Sequence, residues 1–243
     1  MNRSSSIHIA ILCALALAAG TDAAAQKKVS ADVQVKQAAG GKVATVTKSV
    51  CLASDGRFVT HFHTPEDYYL LTNTKGEARI YIPRTNEVLT EQSGTVSTKD
   101  ELIYLFLIGR SEDLGVTQYG YKPVGTSRDG KYIKKTYVNL NDAEIPTVEI
   151  VYDNFLPIYC AYLDNTGRIV NKLYLSGYTL HGRMALPERT TGISYSLNGK
   201  DSTVIRTIYS NVRIDEDDPP LDFVIPADAR KASLPAPSPS KQK

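Results

Sequence analysis

Apolar and polar residues alternate at every second position along most of the chain. Short segments rich in Val, Ile, Thr, Tyr and Phe recur between turn residues, which is the pattern of half-buried β-strands. Because strands and helices do not alternate regularly, this pattern favours an antiparallel sheet over a parallel α/β sheet. The predicted strands cover residues 43–52, 57–63, 68–73, 78–82, 116–122, 131–138, 147–152, 157–163, 168–178, 189–197, 203–214 and 221–225.

Turn residues in the gaps between these strands predict hairpins. Gly and Asn tolerate the positive φ that tight hairpin turns require. Hairpins in series place successive strands antiparallel to each other. The turn sequences are Asp55-Gly56, Lys75-Gly76, Asp129-Gly130, Asn165-Thr166-Gly167 and Asn198-Gly199.

One segment departs from the two-residue period and predicts a helix over residues 98–109. Thr98 and Glu101 have the spacing of a capping box, and Gly109 stands where a helix C-cap is expected. Apolar residues fill most faces of this segment, so the helix must be covered on more than one side. Both a movable lid over an apolar space and a fixed plug in a core meet that requirement.

The predicted fold class is mainly β (α+β): a large antiparallel sheet covered by the helix at 98–109. A twisted sheet of roughly a dozen strands does not stay flat. It either curls into an open half-barrel, whose concave face encloses an apolar space, or splits into two layers with a sandwich core. The pattern of residues alone leaves these two arrangements open.

The N-terminus has the features of an export signal. Arg3 precedes an apolar run over residues 7–19, which is too short to span a bilayer, and Ala23-Ala24-Ala25 offers the small residues of a cleavage site. We therefore predict cleavage after Ala25 and a periplasmic protein. The predicted organisation is a signal peptide at 1–25, a flexible lead-in at 26–41, one β domain at 42–230 and a disordered Pro/Ser-rich tail at 231–243.

Charge, cysteines and histidines narrow the chemistry. The net charge of +2 creates no strong basic field, which argues against a nucleic-acid partner. Export would permit a disulfide between Cys51 and Cys160, and two buried thiols are the alternative. His61 and His63 share one face of a predicted strand, but a metal site needs more ligands than the sequence around them supplies. We predict no catalytic residue, no metal site and no cofactor.

A series of short motifs follows a fixed order along residues 43–226. The motifs are Phe58-Val59-Thr60-His61, Pro65, Leu70-Leu71, Lys75-Gly76, Tyr81-Ile82-Pro83, Asn86-Glu87-Val88, Leu156-Pro157, Tyr162-Leu163-Asp164, Gly167 and Phe223-Val224-Ile225-Pro226. This series resembles the LolA-type periplasmic carriers of outer-membrane lipoproteins. Two departures from that family stand out: residues 26–41 lack its first amphipathic helix, and Arg57 is the nearest match to its lid-contacting Arg.

The resemblance implies an open β half-barrel whose apolar cavity takes the acyl chains of a lipoprotein or another lipid. It also implies that cargo arrives from an inner-membrane transporter and passes to an outer-membrane receptor, without enzymatic activity. We expect the protein to be a monomer. The residues predicted for the cavity wall or lid are Phe58, Leu70, Ile80 or Ile82, Leu102, Leu105, Phe106, Val151 and Ile158.

Two other functions stay open at this point. A scaffold or interaction module of the cell envelope would need no small ligand, and a solid two-sheet core would favour it. An enzyme acting on envelope lipid or glycan would need a convergent set of titratable side chains in a cleft.

Overall fold

The computed structural model describes residues 27–91, 97–196, 199, 201–216 and 219–232. The predicted signal peptide and nearly all of the predicted tail lie outside these residues. The described residues form one α-helix, α1 (Leu102–Leu107), and 3-10 helices at Thr98–Asp100, Val116–Tyr119 and Pro219–Asp222. They also form fourteen strands: β1 Lys28–Ala39, β2 Lys42–Ala53, β3 Phe58–Thr64, β4 Tyr68–Thr72, β5 Ala78–Ile82, β6 Glu87–Glu91, β7 Lys122–Asp129, β8 Tyr132–Val138, β9 Thr147–Asp153, β10 Leu156–Leu163, β11 Ile169–His181, β12 Met184–Tyr195, β13 Ser202–Ile214 and β14 Arg230–Lys231.

All fourteen strands belong to one sheet, in the order β14-β6-β5-β4-β3-β2-β1-β13-β12-β11-β10-β9-β8-β7. Successive strands pair antiparallel within β1–β6 and within β7–β13, whereas β6 and β7 lie near opposite edges of the sheet. The two-residue β14 is parallel to its neighbour β6. The two halves of the chain meet in the middle of the sheet, where β1 pairs with β13 and Val33 lies opposite Tyr209. The prediction of a large antiparallel sheet is confirmed, and the sandwich alternative is wrong for the described residues.

The sheet curls around α1. We call the face that α1 covers the inner face and the opposite face the outer face. One apolar cluster joins α1 to side chains of six adjacent strands, from Phe58 on β3 to Leu175 on β11. Adjacent strands lie about 4.8 Å apart and a helix is only about 10 Å wide, so a flat sheet would place the ends of this cluster out of reach. The result is the predicted open, curved half-barrel.

The segment predicted to be a flexible lead-in is instead a central strand, so the prediction for residues 26–41 is wrong over 28–39. Val29, Ala31 and Val33 alternate with polar residues and are at most 4% exposed on the inner face. Because these side chains are small, the alternation is a weak signal in the sequence. In the structure β1 pairs with a strand on each side, and this pairing holds the segment in the sheet. The folded domain therefore begins at residue 28 and not at 42.

The predicted helix at 98–109 is shorter than expected and interrupted. Glu101 has an extended backbone (φ −80°, ψ 122°), which separates a 3-10 turn from the six residues of α1. Its side chain makes no capping hydrogen bond to α1, so the predicted capping box does not form there. Gly109 does end the helix as predicted, because its φ of +68° lets the chain reverse without a Cβ clash.

Two further strand predictions are wrong. Residues 116–122 form a 3-10 turn with β7 starting only at Lys122, and residues 221–225 follow a 3-10 turn across the outer face. Phe223 in that crossing segment stacks on Tyr69, with ring centroids 4.0 Å apart. The 3-10 turn at Pro219–Asp222 includes the first two residues of the predicted strand, and the fixed φ of the two prolines at its start suits such a turn.

Cys51 and Cys160 form no disulfide, and both are buried. Cys51 is paired with Ser30 and Val59 on the outer face, and Cys160 belongs to the inner-face cluster that contains Ile150 and Tyr137. The sheet separates the two sulfur atoms, so the disulfide alternative is excluded.

Candidate functional site

The inner face under α1 is an apolar surface built by alternate residues of neighbouring strands. Ile103 and Phe106 of α1 are 1% and 6% exposed, and they pack in one cluster with Val33, Leu52 and Leu186. The Phe106 ring lies 6.1 Å from that of Tyr178, tilted by 53°. Residues of α1 therefore fill the middle of the concave inner face.

A small cavity remains beside α1. Its volume is about 110 Å³, and Val33 and Val35 form one wall while Ile103 and Tyr209 form others. An apolar cavity of about 150 Å³ suffices for benzene, so this space is too small for a long acyl chain. The complete lining is Val33, Val35, Lys48, Val50, Phe58, Glu101, Ile103, Thr207 and Tyr209.

Beyond this cavity, towards the β1–β2 turn, the inner face is less covered. Val35 and Val46 lie opposite each other and are half-buried, and Ile205 on β13 is 38% exposed. Further along the same face, Leu70 and Ile80 are cross-strand partners and also half-buried. Partly exposed apolar side chains therefore continue from the cavity across strands on both sides of β1, with Thr207 and Gln37 among them near Ile205. We call this set of apolar side chains the apolar strip.

Charged groups stand at the edge of this apolar strip. Lys48 lines the cavity and places its Nζ 5.3 Å from the centroid of the Phe62 ring. Burial raises the pKa of Tyr209 well above its usual range, and the nearby Glu101 raises it further. The phenol of Tyr209 is therefore neutral at physiological pH and adds no charge to the cavity wall.

Residues 98–119 cover part of the inner face, and we call them the lid segment for that position alone. Polar contacts on both sides of α1 attach this segment to the sheet. Thr98 is fully buried, and its hydroxyl lies 3.2 Å from that of Thr72 on β4. The Tyr152 hydroxyl on β9 donates a hydrogen bond to the Glu112 carbonyl. The contacts of α1 with the sheet between these points are those of the apolar cluster. Two more hydrogen bonds attach the segment outside α1: the Thr98 N–H donates to the Asn73 carbonyl at 3.3 Å, and the Asn139 side chain donates to the Tyr119 carbonyl at 2.9 Å.

The structure places most of the predicted cavity residues on the inner face or in the lid. Phe58 is buried beside the cavity, and Leu105 packs against Gly115 within the lid. Ile158 lies at an irregularity in the pairing of β10 with β9 and is half-buried. The remaining members that share the inner face or the lid are Leu70, Ile80, Ile82, Leu102 and Phe106.

Two of the predicted residues lie elsewhere. Val151 points to the outer face, because its neighbours Ile150 and Tyr152 belong to the inner cluster and side chains alternate along a strand. Arg57 pairs with Asp55 at 3.0 Å in the β2–β3 turn. Its side chain lines a pocket of about 560 Å³ beside Phe223 on the outer face. The structure therefore groups Arg57 with the C-terminal crossing segment and not with the lid.

Residues of β1 and β13 complete the inner face, and the sequence analysis missed them. Val35 lies in the predicted lead-in. Ile205 and Tyr209 lie in a predicted strand that contributes none of the predicted cavity residues. The alternation Val29, Ala31, Val33, Val35 was the available signal.

The outer face carries a polar network that is not arranged for nucleophilic catalysis. The Ser49 hydroxyl donates a hydrogen bond to Asp32 at 2.9 Å, and a hydrogen bond from Asn211 holds the pKa of Asp32 below its usual range. His63 lies 2.8 Å from the Ser49 oxygen, but the hydroxyl hydrogen points to the Asp32 carboxylate, so His63 is not placed to take that proton as a general base. His61 contacts Asp67 at 2.7 Å. Within the described residues, no group of three His, Cys, Asp or Glu side chains could hold a metal ion.

Comparison with known proteins gives structural but not sequence relatives. No protein-family model matches the chain, and no curated protein matches it significantly. No helix in the described part of the chain is long and apolar enough to cross a bilayer.

Solved structures share the fold. A LolA superfamily protein from Nitrosomonas europaea has a TM-score of 0.53 at 12% identity, over 80% of this chain and 89% of that one. A DUF1329 family protein from Desulfovibrio piger has a TM-score of 0.53 at 14% identity, over 79% and 88%. A domain described as an outer membrane lipoprotein-sorting protein, from Vibrio parahaemolyticus, has a TM-score of 0.52 at 13% identity, over 79% and 87%. The chain therefore has the LolA-type fold.

Proposed function

We propose that this protein is a periplasmic carrier that binds the acyl chains of a lipoprotein or another lipid on the inner face of its sheet. In this proposal it accepts cargo from an inner-membrane transporter and passes it to an outer-membrane receptor. The LolA-type fold supports the general role. The observation that carries the proposal is the apolar strip that runs from the 110 Å³ cavity to the partly exposed Ile205.

Burial of methylenes supplies the binding energy in this proposal. Each methylene removed from water contributes about 0.8 kcal/mol, so an acyl chain covering the strip gains several kcal/mol without any polar recognition. The strip between Val35 and Ile205 is accessible as it stands. A longer chain needs the volume that α1 occupies, so binding includes displacement of the lid segment.

A charge placed in the strip tests this proposal. In Ile205→Asp a carboxylate lies where the acyl chain passes, and we expect the affinity for a fatty acid with an environment-sensitive fluorophore to fall at least tenfold. Val124→Asp is the matched control, because Val124 is 63% exposed on the edge strand β7. Both sites are exposed, so both variants should fold, which melting temperatures check.

Equal affinities for the probe in Ile205→Asp and Val124→Asp would contradict the proposed binding face. Native mass spectrometry of protein isolated gently from the periplasm adds a second test. It should reveal co-purifying lipid in the wild type and less of it in Ile205→Asp.

A further inference from the structure

A continuous row of cross-strand neighbours crosses the outer face, opposite the proposed lipid site. Each residue of the row pairs directly with the next one on the adjacent strand. The row combines basic, aromatic and aliphatic side chains on a solvent-facing surface. From β8 to β1 it consists of Lys134, Val151, Tyr159, Tyr174, Thr191, Arg206 and Lys36.

Tyrosine rings and a lysine extend this row into a patch. Tyr174 is 41% exposed, and its ring centroid lies 5.1 Å from that of Tyr159. Lys172 is on the same face, and its Nζ lies 5.8 Å from the Tyr174 ring and 5.3 Å from the Tyr195 ring. We call Lys36, Lys172, Arg206, Tyr159, Tyr174 and Tyr195 the basic–tyrosine patch.

The patch has an excess of positive charge. The lysines beside it are already compensated, since Lys134 pairs with Glu149 at 2.8 Å. By contrast, Lys36, Lys172 and Arg206 have no carboxylate partner anywhere in the described ranges. A hydrogen bond to Tyr195 raises the pKa of Lys172, so that lysine stays charged. Three uncompensated cations on one face, carried by β1, β13 and β11, favour an anionic partner.

We propose that the basic–tyrosine patch docks the protein on an anionic lipid surface. Cations near such a surface are attracted to the lipid headgroups, and tyrosine is enriched at the boundary between headgroups and water. A lysine ammonium lies over the rings of Tyr174 and Tyr195, which occupies ring faces that a sugar would need for stacking. The chemistry therefore favours a lipid surface over a glycan.

This docking is independent of the proposed cargo site. Alternate residues of each strand point to opposite faces, so changes in the patch leave Val35 and Ile205 on the inner face in place. Loss of vesicle binding with unchanged binding of the soluble fatty-acyl probe would assign the two functions to separate faces.

Co-sedimentation with vesicles tests the proposal. Chains starting at Gln26, which contain every described element, are mixed with phosphatidylethanolamine vesicles with or without phosphatidylglycerol. The wild type should bind only the anionic vesicles, and less as NaCl is raised. The patch variant is Lys36→Glu, Lys172→Glu, Arg206→Glu. Since each cation contributes roughly fivefold to binding, we expect its partition coefficient to fall at least about 100-fold.

The control variant is Lys75→Glu, Lys122→Glu, Lys231→Glu, which makes the same change in net charge at exposed residues away from the patch. It should keep binding within a few-fold of the wild type. Comparable loss in both variants would show a response to net charge alone and overturn the proposal. Absence of wild-type binding to anionic vesicles would overturn it too, including the case in which a soluble acidic polysaccharide binds instead.

Discussion

Removal of the Tyr152 hydroxyl should open the lid and increase the affinity for acyl chains. Tyr152 is 4% exposed on β9, and its hydroxyl bonds to the Glu112 carbonyl in the lid segment. In Tyr152→Phe the ring packing stays, while one attachment of the lid to the sheet is lost. Glu112 is exposed, so water can satisfy its carbonyl once the lid has moved.

The size of this effect follows from the value of one hydrogen bond. A neutral intramolecular hydrogen bond contributes about 1 kcal/mol net, so its loss raises the ratio of open to closed lid about fivefold. If the open form is the minor one and binds the acyl chain, the apparent Kd falls by about the same factor. The free energy of unfolding should fall by about 1 kcal/mol.

Titration with a fluorescent fatty acid measures the Kd, and Tyr178→Phe is the matched control. The Tyr178 hydroxyl also bonds to a backbone carbonyl, that of Pro157 at 2.5 Å, but both residues lie in the sheet. Tyr178→Phe should therefore lose similar stability without any gain in affinity. An equal gain in both variants, or no gain in Tyr152→Phe despite its lower stability, would show that the lid does not limit binding.

Three further predictions concern stability and reactivity. Phe223→Ala removes the ring stacked on Tyr69 and should destabilise the fold by about 1–2 kcal/mol in urea unfolding, whereas Val224→Ala, at a residue 79% exposed, should cost less than about 0.5 kcal/mol. Burial raises the pKa of Cys160 to about 12, so this thiol should resist alkylation at pH 8 until the protein unfolds; rapid labelling of the native protein would contradict its placement. Asp164 accepts hydrogen bonds within its turn, the largest effect coming from Thr166, and they lower its pKa from 3.8 to about 2. The ionised carboxylate therefore stabilises the fold above about pH 4, and this stabilisation is lost as the pH falls towards 2. Asp164→Asn should flatten that part of the acid-unfolding curve.

The sequence predicted the sheet well because antiparallel hairpins are local. The alternation in residues 147–152 and 157–163, with a turn between them, determines both the strands and their pairing. Pairing between strands that are distant in the chain is not indicated by any local sequence pattern. Nothing around Val33 identifies Tyr209 as its partner, so the role of β1 could not be read from its neighbours.

The candidate site was predicted only in part, for a related reason. Alternation reveals that Leu70 and Ile80 share a face, but it does not reveal which face α1 covers. Which face α1 covers depends on tertiary packing. In the structure that face carries Ile150, and Val151 lies on the opposite one. The helix was overestimated at its start because the spacing of Thr98 and Glu101 resembles a capping box, whereas the extended backbone of Glu101 delays α1 until Leu102.

The central pairing of β1 with β13 also determines when folding can finish. The backbone N–H of Lys27, just before β1, donates a hydrogen bond to the Asp215 carboxylate after β13, and these residues are 188 positions apart in the chain. Closing so long a loop costs more conformational entropy than closing any hairpin, so each half of the sheet can form before the two join. Until β13 arrives, one side of β1 is an open edge that can pair with another chain. A chain that crosses a membrane from its N-terminus would thus depend on protection of this edge until almost its last strand has emerged.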